Sequence, residues 1–253
     1  MKKKPHLRLF EIFCVCFAAV FLCAAFFLLY LLLRKPAAET AIPRNAQNPE
    51  IVNPAKPDGN FENAPVFNQE ILSLRKQYGN NDIIGVLKIE GTTVDYPVTQ
   101  AADNDFYLTR DIYKKKSPSG WVFLDCENYL YPLDKNTVIY GHNMKERIMF
   151  HDLRLFADYA FFEKHRTLLF KTLYADTEWE IFAFFKTDVS LNYLEVMPNE
   201  EDFTALIEEI KKLAEYDAGV TVSASDNILC LSTCTGVKGE EDMRSVLAAR
   251  LVK

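Results

Sequence analysis

Near the C-terminus the chain reads Asn227-Ile-Leu-Cys-Leu-Ser-Thr-Cys234-Thr-Gly236, an apolar run ending in a cysteine at the edge of a glycine-containing loop. Side chains alternate across a strand, so Cys230, Ser232 and Cys234 fall on one face and Leu231 and Thr233 on the other. A thiol at such a strand end is placed to attack a carbonyl, although a strand cysteine taken alone is more often a small buried hydrophobe. Ten residues later, Arg244 precedes the next apolar run, Ser245 to Val252. If the two runs form a hairpin, the loop Thr235 to Met243 returns Arg244 beside Cys234, because paired strands lie about 4.8 Å apart. A guanidinium there is permanently charged and offers a planar fork of donors that can hold a peptide carbonyl or an oxyanion. Arg250 on the same run is its competitor, and an exposed strand-edge arginine is the plainer reading of either one.

The third group is in Tyr140-Gly-His142-Asn-Met144, where the run Asn136 to Tyr140 stops at a glycine and a histidine follows. An ordinary cysteine, with a pKa of about 8.5, is mostly thiol at neutral pH, so it gains from a base of pKa about 6.5. The same imidazole can then protonate a leaving amine. His6 precedes the apolar N-terminal span, and His151 and His165 lie in helical or loop contexts without a glycine-bounded strand end, so all three are read as non-catalytic. No CxxC, HExxH or other Cys/His spacing suited to zinc occurs, so no metal or other cofactor is expected.

These residues need elements to hold them. Short stretches rich in branched and aromatic residues, IIGVLKIEG, TTVDYPVTQ, WVFLD, NTVIYGHN, TLLFKTLY, WEIFAFFKTDV, VTVSAS, NILCLSTC and SVLAARLV, alternate with turn formers. So many short strands predict a mainly β fold, a barrel or sandwich. One helix is predicted from Pro65 to Tyr78, stopped by Gly79 and Asn80. Two helical insertions interrupt the strands: a weak one over Met149 to Ala157, and a stronger one capped by Asn199. In the latter, Phe203, Leu206, Ile207, Ile210 and Leu213 recur at helical spacing, so it should lie on the strand core.

The N-terminal part is of another kind. Ile12 to Leu33 is a run of 22 residues without a charge. As a helix it would be about 33 Å long, enough to cross a bilayer, and too long for the apolar region of a signal peptide. Lys2, Lys3, Lys4 and Arg8 precede it, which orients residues 1–11 to the cytoplasm and everything after the span outward. Residues 34–60 contain five prolines and little to bury, so they are expected to form an extended tether. The globular part is expected to run from 61 to 253.

Charge and cysteine usage limit what that outer part does. Of the 29 Lys and Arg and 35 Asp and Glu, six and one respectively lie at or before Lys35, which leaves the remainder at net −11. With no basic run longer than Lys114-Lys115-Lys116, nucleic acid is excluded as a partner. Cys14, Cys16 and Cys23 lie in the span, and Cys126, Cys230 and Cys234 beyond it. Four residues apart on a strand, Cys230 and Cys234 would be about 13 Å apart, too far for a disulfide.

The order His, Cys, Arg, the LSTC sequence, the ten-residue gap from Cys234 to Arg244, the GHNM sequence and the N-terminal span together resemble a class B sortase over roughly 61–253. The class pattern Thr-Leu-x-Thr-Cys is met by Cys230-Leu231-Ser232-Thr233-Cys234 except at its first position. The resemblance implies a closed β-barrel with an N-terminal helix and a helix before the cysteine strand. It also implies a membrane-anchored cysteine transpeptidase of the Gram-positive cell surface. Such an enzyme cuts an Asn-Pro-x-Thr-x sorting signal of a secreted protein after Thr, holds the product as a thioester and transfers it to a cell-wall peptide amine. Cys234 would be the nucleophile, His142 the acid and base, and Arg244 the carbonyl and oxyanion partner. Asn104, Leu108, Tyr193, Leu194 and Ser232 would touch substrate, each with a packing role as the alternative. The competing readings are a cell-wall cysteine peptidase, which ordinarily has Cys before His in the chain, and a non-catalytic surface binding module.

Overall fold

In the computed structural model the described residues are 66–188 and 191–252. Strands β1 (Ile83–Lys88), β2 (Asp95–Thr99), β3 (Phe123–Leu124), β4 (Asn136–Tyr140), β5 (Thr167–Thr172), β6 (Asp176–Thr187), β7 (Ile228–Cys234) and β8 (Arg244–Leu251) are rich in branched and aromatic residues. They close into a barrel in the order β1-β2-β3-β4-β7-β8-β6-β5, with β2–β3 and β4–β7 parallel and the other pairs whose register is defined antiparallel. Closure leaves no free sheet edge, which a set of strands this short requires.

Alternation sorts the barrel interior from its outer face. Leu229 and Leu231 of β7, with Leu247 and Ala249 of β8, point into the interior cluster that also holds Trp179, Ile181 and Phe184. Ile228, Cys230, Val246 and Ala248 point the other way, into a second cluster. A bulge between Ile181 and Ala183 shifts the phase of β6, so Ala183 and Phe185 join that outer cluster. Helix α3 (Glu200–Leu213) covers it with Phe203, Leu206, Ile207 and Ile210. Burial on both faces explains why Ile228 to Leu231 of β7 reads as an unbroken apolar run.

Two other helices fix the flanks. Helix α1 (Gln69–Tyr78) starts later than the pattern predicts, because the Asn68 side chain accepts from Glu70 N and caps it there. It ends at Gly79, whose φ of 62° is the left-handed conformation a helix stop favours. The expected insertion over Met149 to Ala157 is a 3-10 helix at His151–Ala157. It leads into α2 (Tyr159–Lys164), capped by Asp158, which the sequence pattern does not reveal.

One expected strand is absent: Val220 to Ser225 is irregular. The Asp226 carboxylate accepts from both Ser223 N and Ser223 Oγ, which turns the chain there, while Val222 is still buried against the outer cluster. The apolar residues report burial and not pairing.

The span 12–33, the flanking residues 1–11 and the tether 34–60 lie outside the described residues, as do 61–65. Among the described residues no helix is long and apolar enough to cross a membrane.

Candidate active site

Cys234 is the last residue of β7 and the one exposed position in a strand otherwise buried. It is also the end of an antiparallel ladder whose final rung pairs Cys234 with Arg244. Residues directly opposite in such a pair project to the same face. Here that face is the outer one, shared with Cys230 and Val246. The Arg244 guanidinium is tied to its own turn, with Nη1 donating to Glu241 O at 3.0 Å and to Met243 O at 3.1 Å. A guanidinium has five N–H donors, so its fork retains donors beyond these two. Arg250 lies at the far end of the ladder, opposite Ile228, and its Nη2 is 2.7 Å from Glu180 Oε2. The two arginines of β8 are therefore separated by place and by partner.

His142 reaches the same end through β4. In the parallel pair of β4 and β7, Tyr140 stands opposite Ser232, and Gly141 N donates to Ser232 O at 3.2 Å. His142 and Cys234 are each two residues beyond that shared rung. The His142 ring is fixed by Leu108, whose carbonyl lies 2.8 Å from Nε2. A carbonyl can only accept, so Nε2 carries the hydrogen and Nδ1 is the nitrogen left for proton exchange.

Gly120 makes this contact possible. Its φ is +53°, and a Cβ there would lie 2.5 Å from Tyr107 O, 2.7 Å from Leu108 O and 3.0 Å from His142 Cδ2. Only a glycine lets the turn pass that close. Sequence reasoning does not single out Gly120; the local hint is the turn-forming Ser117-Pro-Ser-Gly120.

The residues expected to touch substrate divide into two groups. Asn104 donates from Nδ2 to Asp125 Oδ2 at 2.8 Å and accepts from Cys126 N at 2.8 Å. Asp125 Oδ2 also accepts from the Tyr140 hydroxyl at 2.8 Å, so Asn104 is joined to the strand that leads to His142. Burial, reinforced by the Asp125 carboxylate, pushes the Tyr140 phenol well above its ordinary pKa and keeps it a donor. Leu108 and Leu194 present exposed side chains. Tyr193 and Ser232 are instead buried and bonded to each other, hydroxyl to hydroxyl at 2.9 Å, one pleat inward of Cys234. Cys230 is sealed below them, and burial pushes its thiol up to about 12.

The arrangement can support acyl transfer: a solvent-reached thiol, an imidazole with one nitrogen committed to a carbonyl, and a guanidinium across the strand pair. A family model described as a sortase domain matches residues 87–252. Sortase B of Listeria monocytogenes is 40% identical over 184 residues, covering 72% of this chain and 74% of that protein. A Staphylococcus aureus sortase B–substrate complex superposes with a TM-score of 0.69 at 32% identity, covering 74% of this chain and 86% of that one. A sortase B complexed with triglycine gives 0.68 at 32% identity, covering 73% and 86%.

Proposed function

The chain belongs to the sortase family, in class B, and is a cysteine transpeptidase; from that premise we propose that it attaches secreted proteins bearing an Asn-Pro-x-Thr-x sorting signal to a cell-wall peptide amine. The Cys234 thiol passes its proton to His142 as the sulfur adds to the Thr carbonyl carbon, while Arg244 donates to the developing oxyanion. The C–N bond to the next residue breaks, and His142 hands its proton to the departing amine, leaving a thioester on Cys234. A second amine then adds to the same carbon, gives a proton back through His142, and displaces the sulfur. The signal and the acyl-enzyme step follow from the family resemblance, and Cys234 in register with Arg244 is the observation that carries them.

Substrate binding is assigned to Asn104, Leu108 and Leu194 around the mouth, with Tyr193 and Ser232 forming the floor beneath the nucleophile. The S. aureus relative was solved with a substrate and another sortase B with triglycine, which supports a peptide acyl donor and an oligoglycine-like amine for this chain. The span at 12–33 anchors the enzyme with its N-terminus cytoplasmic and the barrel outside, on the apolar length and flanking lysines. Sharing a membrane surface raises the effective concentration of enzyme and substrate without new contacts.

Product analysis tests this. The full chain, given an Asn-Pro-x-Thr-x peptide and triglycine, should yield the Thr–triglycine amide together with the released C-terminal fragment. Free Thr carboxylate as the sole product at saturating triglycine would make the protein a peptidase.

A further inference from the structure

The backbone ladder between β4 and β7 ends where Gly141 N meets Ser232 O, one residue before His142. Beyond that rung a side chain continues the connection. Asn143 donates from Nδ2 to Cys234 O at 3.0 Å and to Thr235 O at 3.1 Å, so one amide clamps both carbonyls that follow the sulfur-bearing side chain. Gly236, with φ +73°, leaves the room: a Cβ there would be 2.8 Å from that Nδ2. On its own side the loop is tied back by Phe150 N donating to His142 O at 2.9 Å and by the bridge between Asn143 and Met149.

The amide's orientation is determined by its partners. Two carbonyls can only accept, so both amide hydrogens point at the Cys234 turn and Oδ1 faces the other way. Oδ1 lies 2.8 Å from His151 Nδ1, which must therefore carry a hydrogen. Burial and the nearby Arg154 hold the His151 imidazole below its ordinary pKa, and the neutral Nδ1–H tautomer satisfies the contact. A histidine without a catalytic reading in the sequence thus orients the residue next to His142.

We propose that Asn143, oriented by His151, is a positioning residue that sets the His142 ring against the Cys234 sulfur by clamping the Cys234 and Thr235 carbonyls. It rests on the reading of His142 and Cys234 as the reacting pair. That reading is tested separately by turnover of the unmodified chain and of Cys234→Ala. A misplacement of about 1 Å at a reacting pair costs about a hundredfold in rate, which sets the scale of the effect.

The test uses the full-length chain in detergent, with four variants measured for kcat and KM on a sorting-signal peptide, for the alkylation rate of Cys234, and for the unfolding midpoint. Asn143→Ala should lower kcat about 10- to 100-fold with KM within about twofold. Asn143→Asp should lose at least as much, because a carboxylate faces both carbonyls with acceptors only. His151→Ala should lower kcat several-fold. His151→Asn, whose amide nitrogen can stand where Nδ1 stood, should recover most of that loss. The alkylation rate should follow kcat across the set, with unfolding midpoints close to that of the parent. Wild-type kcat in Asn143→Ala would overturn the proposal. So would equal kcat in His151→Ala and His151→Asn, or losses that track the unfolding midpoint in place of the alkylation rate.

Discussion

Cys234 stands directly opposite Arg244 on the last rung of the β7–β8 ladder, whereas Arg250 stands opposite Ile228 on its first. The same strand therefore carries one arginine beside Cys234 and one engaged by Glu180 at the other end. Arg244→Lys keeps the charge and removes the planar fork, and should lower kcat by about 10²- to 10³-fold with little change in the unfolding midpoint. Arg250→Lys should leave the rate within about twofold and cost about 1 kcal/mol of stability at most. Steady-state kinetics and thermal melts on the two variants check this, and equal rate losses would move the oxyanion role away from Arg244.

Gly120→Ala should damage catalysis through the His142 ring. The new Cβ meets Leu108 O and the edge of the His142 ring, and the left-handed φ disfavours any L-residue by about 1–2 kcal/mol. We expect kcat to fall about a hundredfold, on the scale of an ångström of misplacement, in a chain that still folds. A wild-type kcat would show that the Leu108 carbonyl does not hold the His142 ring for catalysis.

The two cysteines of β7 should differ in reactivity by environment. Cys234 is exposed, and Cys230 is fully buried with its thiol pushed up to about 12. Iodoacetamide on the native protein should modify Cys234 within minutes and reach Cys230 only after denaturation, as fragment-ion mapping would show. Native labelling of Cys230 would mean that the outer cluster under α3 opens.

Acid should loosen the loop that follows His142 through Asp152. Burial alone would raise that carboxyl, but donation from Thr93 and Arg147 outweighs it and holds the pKa below the ordinary range. A depressed folded pKa adds stability that is fully present above the unfolded value of about 3.9 and is lost as pH falls through the lower folded value. Asp152→Asn should accordingly be less stable than the parent at neutral pH, with the gap closing below about pH 4. A gap independent of pH in urea titrations would mean that the charge of Asp152 is not what holds the loop.

How much of this the sequence discloses depends on whether a feature is local in the chain. The alternation of β7, the return of Arg244 through a nine-residue loop, the Gly79 stop and the Asn199 cap are all local patterns, and the structure bears them out. Val220 to Ser225 is misread as a strand because Val222 is buried from a loop, and burial leaves the same trace as pairing. Tyr193 comes to the site only through the family resemblance, and its engagement with Ser232 takes a contact across 39 positions. The Leu108 carbonyl on His142, the Gly120 clearance and the link from His151 through Asn143 are set by one backbone or side-chain atom each, and beyond the turn signal at Ser117 to Gly120 no pattern of residue types encodes them.

The most direct test is the intact mass of the enzyme after brief mixing with an Asn-Pro-x-Thr-x peptide in the absence of amine. The chain should gain the mass of the acyl fragment ending in Thr, less one water, on Cys234; the adduct should disappear on adding triglycine, and Cys234→Ala should never show it. An adduct on the alanine variant, or product formation with no adduct under any quench, would contradict acyl transfer through this sulfur.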